Sequence, residues 1–511
     1  MDIPISTFIS DNENYLKQTA GLGVTFDVGI RKFQILNKEI AVLFVNGLCD
    51  TNYIIPILEE AVDTNEIRDV EEDTVKLLEN RLIHQQVSKV KTMDEVMVQA
   101  LSGLIVIFVE GETEAFAIDV RSYPGRTPTE PDTEKVVRGA RDGFVENIVV
   151  NTALIRRRIR DPRLRNEIIR VGDRSQTDIC ITYVQDVANP DLVKIIKQEL
   201  NNIDVDGITM ADKTVEEFVV NQSYNPFPLI RYTERPDVAA NHLLEGHVLV
   251  LVDTSPSAMI TPTTYFHHLQ HAEEFRQNPA VGTFLRWVRF LGVLFSLFLL
   301  PFWLVFVFDP TLLPENLAFI GPTKMTHLPI LLQVIMAEVG LEFLRMAAIH
   351  TPTPLSSAAG LISAILIGQI AIDVGLFVPE VILYVAVSMI GAYATPSYEL
   401  GLGNKVGKLF VIILTGLFHE MGFVIGMTIL ILFLTSIKSL QTPYLWPFLP
   451  FDWGALTKIL LRPTMSSLKV RPSIVRPQNV KDKNKRDYTP VYFFSKNLLF
   501  FNKNQTFFVY T

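Results

Sequence analysis

The chain has 511 residues, a net charge of -9 at pH 7 and two cysteines, Cys49 and Cys180. This length exceeds one compact core, and the acidic balance argues against a nucleic-acid partner, which requires a basic surface. Two cysteines are too few for a disulfide scaffold or a cysteine-rich zinc site. Because the apolar residues concentrate in the second half, we expect three parts: a soluble region over 1–285, a membrane domain over 286–461 and a basic tail over 462–511.

The first 285 residues carry the patterns of a mixed soluble fold. Strands are predicted at the sequences FDVGI, FQIL, IAVLFVNG, DICITYV and HVLVLVD, and a hairpin is predicted to turn at Glu110-Gly111-Glu112. Helices are predicted at NPDLVKIIKQELNNI and TVEEFVVNQ, with a charged helix over 70–82. We therefore predict an α/β or α+β region of one or two subdomains. The first 15 residues lack a basic segment and an apolar core, so the region is expected to be cytoplasmic.

A segment over 121–163 is rich in charged residues, proline and glycine. One interpretation is a solvated surface. The other is a subunit interface in which opposite charges pair, and its candidate residues are Arg138, Arg141, Glu146, Arg156, Arg157 and Arg158. Contact of the arginine run with anionic lipid is a third possibility, weakened by its distance in sequence from the membrane domain.

The membrane domain opens with a run of 19 uncharged residues, Phe290 to Phe308. As a helix it would be about 28 Å long, close to the hydrocarbon thickness of a bilayer. Because Arg286 and Arg289 precede it, its first end is expected to be cytoplasmic. The next apolar stretches are Leu328 to Ile349, Ala358 to Val378, Val381 to Ala394 and Leu409 to Thr435.

The number of crossings stays open at this point. About five segments are apolar, but an odd number would place the basic tail outside, against the positive-inside trend. Either the chain from Leu409 to Leu461 crosses twice, or the short fourth stretch does not cross. The proline- and aromatic-rich sequence LQTPYLWPFLPFDWGAL is more typical of an interfacial or re-entrant segment than of a straight span.

Polar residues inside the apolar stretches point most directly to function. Glu338, Glu342 and Arg345 are spaced i, i+4, i+7 and share one helix face, and Gln369 and Asp373 repeat the i, i+4 spacing in the next stretch. An ionised group at the bilayer centre costs roughly 2.5–3.5 kcal/mol. Two interpretations remain and can hold together: Arg345 pairs with one of the two glutamates and leaves the other uncompensated, or all five residues line an ion path between helices.

Catalytic motifs are absent from the sequence, and no cofactor is expected. It contains no Walker A, G-x-G-x-x-G, H-E-x-x-H or G-x-S-x-G pattern. His267 and His271 have the i, i+4 spacing of a metal-binding pair, with His268 beside them. We expect these three to be surface histidines rather than metal ligands.

Several long stretches resemble the spore germination receptor A-subunit family (GerA type). In the soluble part they are RSYPGRTPTEPDTEKVVRGARDGFVENIVVNTALIRRRIRDPRL, TERPD and LLEGHVLVLVDTSPSAMITP; in the membrane part they are AEVGLEFLRMAAIHTP, GQIAIDVGLFVPEVI and QTPYLWPFLPFD. Their order over residues 20–475 carries the resemblance. The chain departs from the family at Met346-Ala347, where a Glu-Ala pair is common, and in the tail beyond Asn479.

The resemblance implies a polytopic protein of the spore inner membrane that helps the dormant spore respond to nutrients. It implies a pore-forming subunit of a homo-oligomeric cation channel that works with other germination membrane proteins. A non-conducting scaffold or signalling subunit is the first alternative. A transporter of small solutes such as dipicolinate is the second, and it is disfavoured because no internal repeat is visible.

Overall fold

The structure is a computed structural model. It describes residues 3–35, 38–50, 55–56, 59, 87–123, 134, 138–220, 222–322, 327–350, 360, 366–464 and 470–480. The predicted charged helix over 70–82, the first part of the third apolar stretch and the tail after residue 480 lie outside these residues.

The first sheet of the N-terminal region has five strands in the order β1-β2-β4-β5-β3, and every neighbouring pair is antiparallel. The strands are β1 Val28–Ile35, β2 Lys38–Val45, β3 Val87–Val90, β4 Ile105–Val109 and β5 Ala115–Ile118. Helices α1 (Ile9–Thr19) and α2 (Met93–Leu101) place apolar side chains in the core of this sheet. A capping box at Thr92 and Glu95 fixes the start of α2.

The second sheet also has five strands, in the order β6-β7-β9-β10-β8, and all its pairs are antiparallel. The strands are β6 Leu164–Val171, β7 Thr177–Val184, β8 Arg231–Thr233, β9 Val248–Val252 and β10 Ala258–Thr261. Four helices accompany it: α3 Ile148–Arg158, α4 Pro190–Asn201, α5 Ala211–Val220 and α6 Pro236–Glu245. Apolar side chains cover both faces of β9, all of whose residues are buried.

A buried ion pair joins the two sheets. Arg156 of α3 donates to Asp27 through Nε at 2.8 Å, and both side chains are 1% exposed. Burial alone would raise the pKa of Asp27. The charge of Arg156 and hydrogen bonds from Arg156, Thr25 and Asn166 outweigh it, and the pKa falls below its ordinary value. Asp27 therefore stays ionised as the link between the two halves.

The C-terminal half is helical. After the short helix α7 (Ala272–Arg276), the helices are α8 Pro279–Phe308, α9 Ile330–His350, α10 Ala371–Asp373, α11 Pro379–Tyr393, α12 Tyr398–Ser436 and α13 Trp453–Leu460. A π-helical turn, Leu366–Ile370, leads into α10. Within the described residues, α8 and α12 are long and apolar enough to cross a membrane.

Helix α12 is not straight, because it folds back on itself at His419. This residue has φ 54° and ψ -135°, which no helix accommodates. A Cβ on Gly422 would lie 1.9 Å from the Leu414 carbonyl oxygen, and one on Gly407 would lie 3.2 Å from Leu430. Residues 23 apart in a continuous helix would be about 35 Å apart. The arms 398–418 and 420–436 therefore form an antiparallel hairpin.

Both ends of this hairpin lie against the N-terminal region. Near its start, a Cβ on Gly403 would meet the Pro226 carbonyl oxygen at 2.8 Å. Just after its end, Ser439 Oγ donates to the Leu229 carbonyl at 2.7 Å. The tip is at the far end of the helices, where the ring of His419 lies 4.7 Å from that of Phe308, the last residue of α8.

The chain after the hairpin does not form a straight span. Two short strands, β11 Lys438–Ser439 and β12 Thr442–Pro443, are followed by turns and by α13, which Asp452 caps. Residues 470–480 return to the second sheet region, where Gln478 donates through its backbone to the Val187 carbonyl at 3.0 Å. The described C-terminal residues therefore lie on the same side as the N-terminal region.

The predicted strands and helices of the N-terminal region are confirmed where the structure describes them, with FDVGI and FQIL joined into β1. Because both sheets are antiparallel, the α+β alternative holds. Helix α3 was not predicted, since it lies inside the charged segment over 121–163. Its buried residues show that part of this segment belongs to the core.

Candidate functional site

Two helices bring acidic and basic side chains together in the interior of the helical half. Helix α9 supplies Glu338 and Glu342 from one face, and the first arm of α12 supplies Lys405 and Lys408. With Arg345 of α9 these residues form what we call the lysine–carboxylate cluster. If all five are ionised, three cationic groups surround two carboxylates.

The innermost pair is Glu338 and Lys408. Lys408 Nζ donates to Glu338 Oε1 at 2.7 Å, and the two side chains are 3–4% exposed. Lys408 is ten residues from each end of the arm 398–418, which places it about 15 Å from either end. The pair therefore lies midway along the helices and is shielded from solvent by the surrounding side chains.

Hydrogen bonds also link Lys408 to a third helix, α11. Lys408 Nζ also donates to Ser388 Oγ of α11 at 3.1 Å, and Ser388 Oγ donates to the Ser296 carbonyl of α8 at 3.1 Å. Close packing makes this possible, because a Cβ on Gly391 would lie 2.2 Å from the Gly292 carbonyl oxygen. The pair is thus linked to α8 and α11 as well as to its own helices.

The outer pair is less buried. Lys405 Nζ donates to Glu342 Oε2 at 2.6 Å and lies 3.8 Å from Glu338, with the Lys405 and Glu342 side chains 18% and 24% exposed. Arg345 Nε lies 3.7 Å from Glu342, and its guanidinium stacks 4.5 Å over the ring of Tyr398. Arg345 therefore shares Glu342 with Lys405 and does not neutralise Glu338.

The sequence correctly indicated that Glu338, Glu342 and Arg345 share a face. It does not identify Lys405 and Lys408, because the fifth apolar stretch begins at Leu409 and leaves both lysines before it. Their i, i+3 spacing just before an apolar run, opposite an i, i+4 acidic pair, was the available signal. The inference that Arg345 leaves one carboxylate uncompensated is corrected by these lysines.

The two other residues predicted to line the ion path, Gln369 and Asp373, lie apart from the cluster, and a further polar residue of α9, Gln333, connects two segments of the chain. Gln333 is buried and bridges two segments: Nε2 donates to the Leu328 carbonyl and Oε1 accepts from the Val378 amide, both at 2.8 Å. Gln369 and Asp373 are exposed, at the π-helical turn and α10. Within the described residues, no ion pair or hydrogen bond joins either one to the cluster.

The predicted interface residues differ in whether contacts within their own chain already engage them. Arg156 is committed to Asp27 inside its own chain, so it is not available to a neighbour. Arg158 pairs with Asp142 at 2.5 Å, and Arg157 stacks on Tyr123 at 4.6 Å. Arg138, Arg141, Glu146 and Arg157 are exposed, and their contribution to subunit contacts stays a prediction.

The expectation of surface histidines is wrong for His267 and His268, which are 7% and 2% exposed. His267 packs against His247 and His242 with ring centroids 5.3 and 6.3 Å apart. Burial is the main reason that the pKa of His267 lies well below its ordinary value. The positive charge of Arg231 and of the nearby histidines lowers this pKa further. Within the described residues, no group of histidine, cysteine and acidic side chains could hold a metal ion.

An antiparallel α+β region joined to apolar helices that carry paired charges defines a two-part protein, and the sequence matches a family model over most of its length. The family model described as "Bacillus/Clostridium GerA spore germination protein" matches residues 14–474. The chain belongs to this family, and membership supports a role in spore germination.

Individual relatives extend over nearly the whole chain. Stage V sporulation protein AF of Bacillus subtilis (strain 168) is 64% identical over 92% of this chain and 95% of its own length. The uncharacterized membrane protein YfkQ of the same organism is 26% identical over 95% of both chains. The crystal structure of the N-terminal domain of the A subunit of the Bacillus megaterium spore germinant receptor GerK3 is 27% identical, with TM-score 0.41, and covers 52% of this chain and 98% of that one.

Proposed function

We propose that this chain is a multi-pass subunit of the spore germination machinery in the spore inner membrane, and that copies of it form a cation-conducting pore. The N-terminal region and residues 437–480 lie on the cytoplasmic side. Family membership supports the germination role. An even number of crossings is supported by the contacts of Ser439 and Gln478 with the N-terminal region, because the chain after the hairpin then lies on the side from which α8 starts.

The observation that carries the proposal is the Glu338–Lys408 pair midway along the helices. Charges at such a depth are costly, and in membrane proteins they mark pairs, water-filled paths or both. In the arrangement described here Lys408 occupies the Glu338 carboxylate, so cations pass only while this pair is separated. Separation of α9 from the first arm of α12 would free Glu338 to attract a cation.

Several copies are needed because one chain contributes few helices to enclose a pore. The outward faces of α8, α9 and α12 expose large apolar side chains that lipid or neighbouring subunits would cover. They include Leu291, Leu294, Phe343, Val406, Phe410 and Ile413. The partly exposed Glu342–Lys405 pair lies at the margin of this surface, where a second copy would enclose it.

A non-conducting scaffold is the second candidate, and one observation favours it. Each carboxylate of the cluster has a basic partner within 2.7 Å. Such pairs fix helix positions without any flow of ions, since removal of one partner leaves a buried charge. In this case the cluster would hold a receptor assembly together.

The test is cation flux through the purified full chain in liposomes. The comparison uses wild type, Glu338→Gln, Glu342→Gln and the control Glu315→Gln, which removes a charge from an exposed 3-10 turn in the loop after α8. A pore predicts flux in wild type and in the control, with altered flux in both cluster variants at unchanged protein yield. Flux that is equal in all four, or absent from wild type, contradicts the pore and supports the scaffold.

A further inference from the structure

A cavity of about 330 Å³ lies where the N-terminal region meets the first turn of α12. The edge strand β8 and the start of α5 form one wall, and residues 396–399 form the other. Its charged lining residues are Glu134, Asp212, Lys213, Arg231, Glu234 and Glu399. It therefore adjoins the helix that carries Lys405 and Lys408.

Among the described residues that line this cavity, four are carboxylates and two are basic side chains. One of the basic groups, Lys213, is already paired with Glu216 at 2.7 Å. The other, Arg231, directs its guanidinium to the backbone carbonyls of His267 and Gln270, and its charge also interacts with that of Glu134. Because protein walls focus the field of like charges, such a cleft concentrates cations.

The inner wall contains a polar side chain that points to a bound species. His268 lines the cavity and is 2% exposed. Neither of its ring nitrogens makes a hydrogen bond of ordinary geometry within the described residues, although the Pro228 backbone acts on the ring and raises its pKa against the effect of burial. Burial lowers its pKa to about 3, so the ring is neutral near pH 7. Buried polar atoms of this kind are normally satisfied by protein, water or an ion.

From His268 a row of polar side chains leads into the helices. The ring of His268 lies 6.4 Å from that of Tyr444, which lies 6.1 Å from that of Tyr265. Tyr265 donates through its hydroxyl to Asn404 Oδ1 at 3.1 Å, and Asn404 precedes Lys408 by one helical turn. Among the described residues, the Tyr444 hydroxyl and Asn404 Nδ2 are also buried without hydrogen-bond partners.

We propose that this acidic cavity is the cytoplasmic vestibule of the cation path, and that the row from His268 through Tyr444 and Asn404 leads from it to the lysine–carboxylate cluster. The inference rests on the proposed function. It adds the route that cations take and the chemistry of the cytoplasmic entrance to that route. Monovalent cations gather among the carboxylates, and partly hydrated ions use the unpaired polar atoms along the row. The Glu338–Lys408 pair closes its inner end.

Cysteine labelling tests the vestibule without requiring ion flux. Gln270→Cys places a thiol in the cavity wall at a side chain that makes no described hydrogen bond, and Ser397→Cys places one on the opposite wall. The native thiols of Cys49 and Cys180 are buried, so background labelling is low. The full chain in inside-out vesicles is treated with cationic and anionic methanethiosulfonate reagents of similar size.

An acidic vestibule predicts that the cationic reagent reacts several-fold faster than the anionic one at both positions. Adding Glu399→Gln should reduce this ratio, whereas adding the loop change Glu315→Gln should not. Equal rates, or a faster anionic reagent, overturn the proposal.

The row beyond the vestibule is tested with Asn404→Cys against Leu400→Cys, which is buried in the same helix one turn earlier. The proposal predicts modification of Asn404→Cys by the small cationic reagent and none of Leu400→Cys. If Asn404→Cys does not fold, Tyr444→Cys replaces it, since its hydroxyl has no partner to lose. Reactivity no greater than that of Leu400→Cys overturns the route.

The labelling and the flux measurement separate the two proposals. If the chain conducts cations but labelling shows no charge preference, the proposed function stands and the vestibule proposal is overturned. If the cationic reagent reacts faster but no flux is detected, the pore proposal is overturned and the cavity remains a site that attracts cations.

Discussion

Lys408 and Glu338 are 70 residues apart in the chain, yet Lys408 Nζ lies 2.7 Å from Glu338 Oε1, midway along the helices. Each side chain is almost fully enclosed. In such surroundings, one charge of the pair is stable only while the other is present. This dependence gives the first prediction.

Lys408→Met should destabilise the protein by about 3–5 kcal/mol, because it leaves the Glu338 carboxylate buried and unpaired. Adding Glu338→Gln should recover much of the loss, since no charge remains. Thermal unfolding of the purified chain in detergent measures both variants. Additive losses in the double variant would contradict a direct pairing.

Arg345→Ala should cost clearly less than Lys408→Met. The Glu342 carboxylate keeps Lys405 at 2.6 Å when Arg345 is removed, and its side chain is already 24% exposed. We expect a loss of about 1 kcal/mol, from one partly exposed charge contact and the stacking on Tyr398. The same unfolding measurement checks it, and a loss equal to that of Lys408→Met would show that Arg345 is the main partner.

Gly391→Ala should destabilise the helical half by about 1–3 kcal/mol, because its new Cβ would lie 2.2 Å from the Gly292 carbonyl oxygen. The backbone atom it meets can move only with its helix. Gly340→Ala in α9 is the matched control, since a Cβ there meets nothing within 4 Å. The control should be neutral or more stable by up to about 1 kcal/mol. Equal melting temperatures for the two variants would argue against the close approach of α8 and α11.

The protein should lose stability as the pH falls from 7 to 5. Burial lowers the pKa of His247 to about 4 and of His268 to about 3, both from an ordinary 6.5. Below pH 6.5 the unfolded chain takes up protons that the folded chain does not, so protonation favours unfolding. Each histidine contributes at most about 1.4 kcal/mol per pH unit over this range.

The variant His247→Gln tests this origin of the pH dependence. It should make the free energy of unfolding fall less steeply between pH 7 and 5, because one titrating group is removed. The control His327→Gln changes an exposed loop histidine and should leave the slope as in wild type. An unchanged slope in His247→Gln would assign the pH dependence to other groups.

The two sides of the membrane can be assigned with three single cysteines in the full chain. Asn201→Cys and Val480→Cys should react from the cytoplasmic side, and Glu420→Cys at the hairpin tip should react from the other side. The assignment follows from the fold-back at His419 and from the return of residues 470–480 to the N-terminal region. Labelling of Glu420→Cys and Asn201→Cys from the same side would exclude the hairpin as a crossing element.

Much of the N-terminal fold could be predicted from the sequence, because strand alternation and helix periodicity are local signals. β7, β9, α4 and α5 appear where the patterns placed them. Helix α3 was missed because its buried residues are interspersed with arginines, one of which, Arg156, is itself in the core. A buried arginine has the sequence signature of a surface residue, and only its partner Asp27 reveals the difference.

By itself, the sequence determined the division into an acidic mixed region and an apolar helical half, the shared face of Glu338, Glu342 and Arg345, and the family. These follow from composition, spacing and ordered similarity. The tertiary structure alone decided that α12 folds back at His419, that Lys405 and Lys408 meet the two glutamates, and that His267 and His268 are buried. The reason is physical: pairing and burial depend on contacts between residues far apart in the chain, and no local period encodes which distant charge will lie opposite.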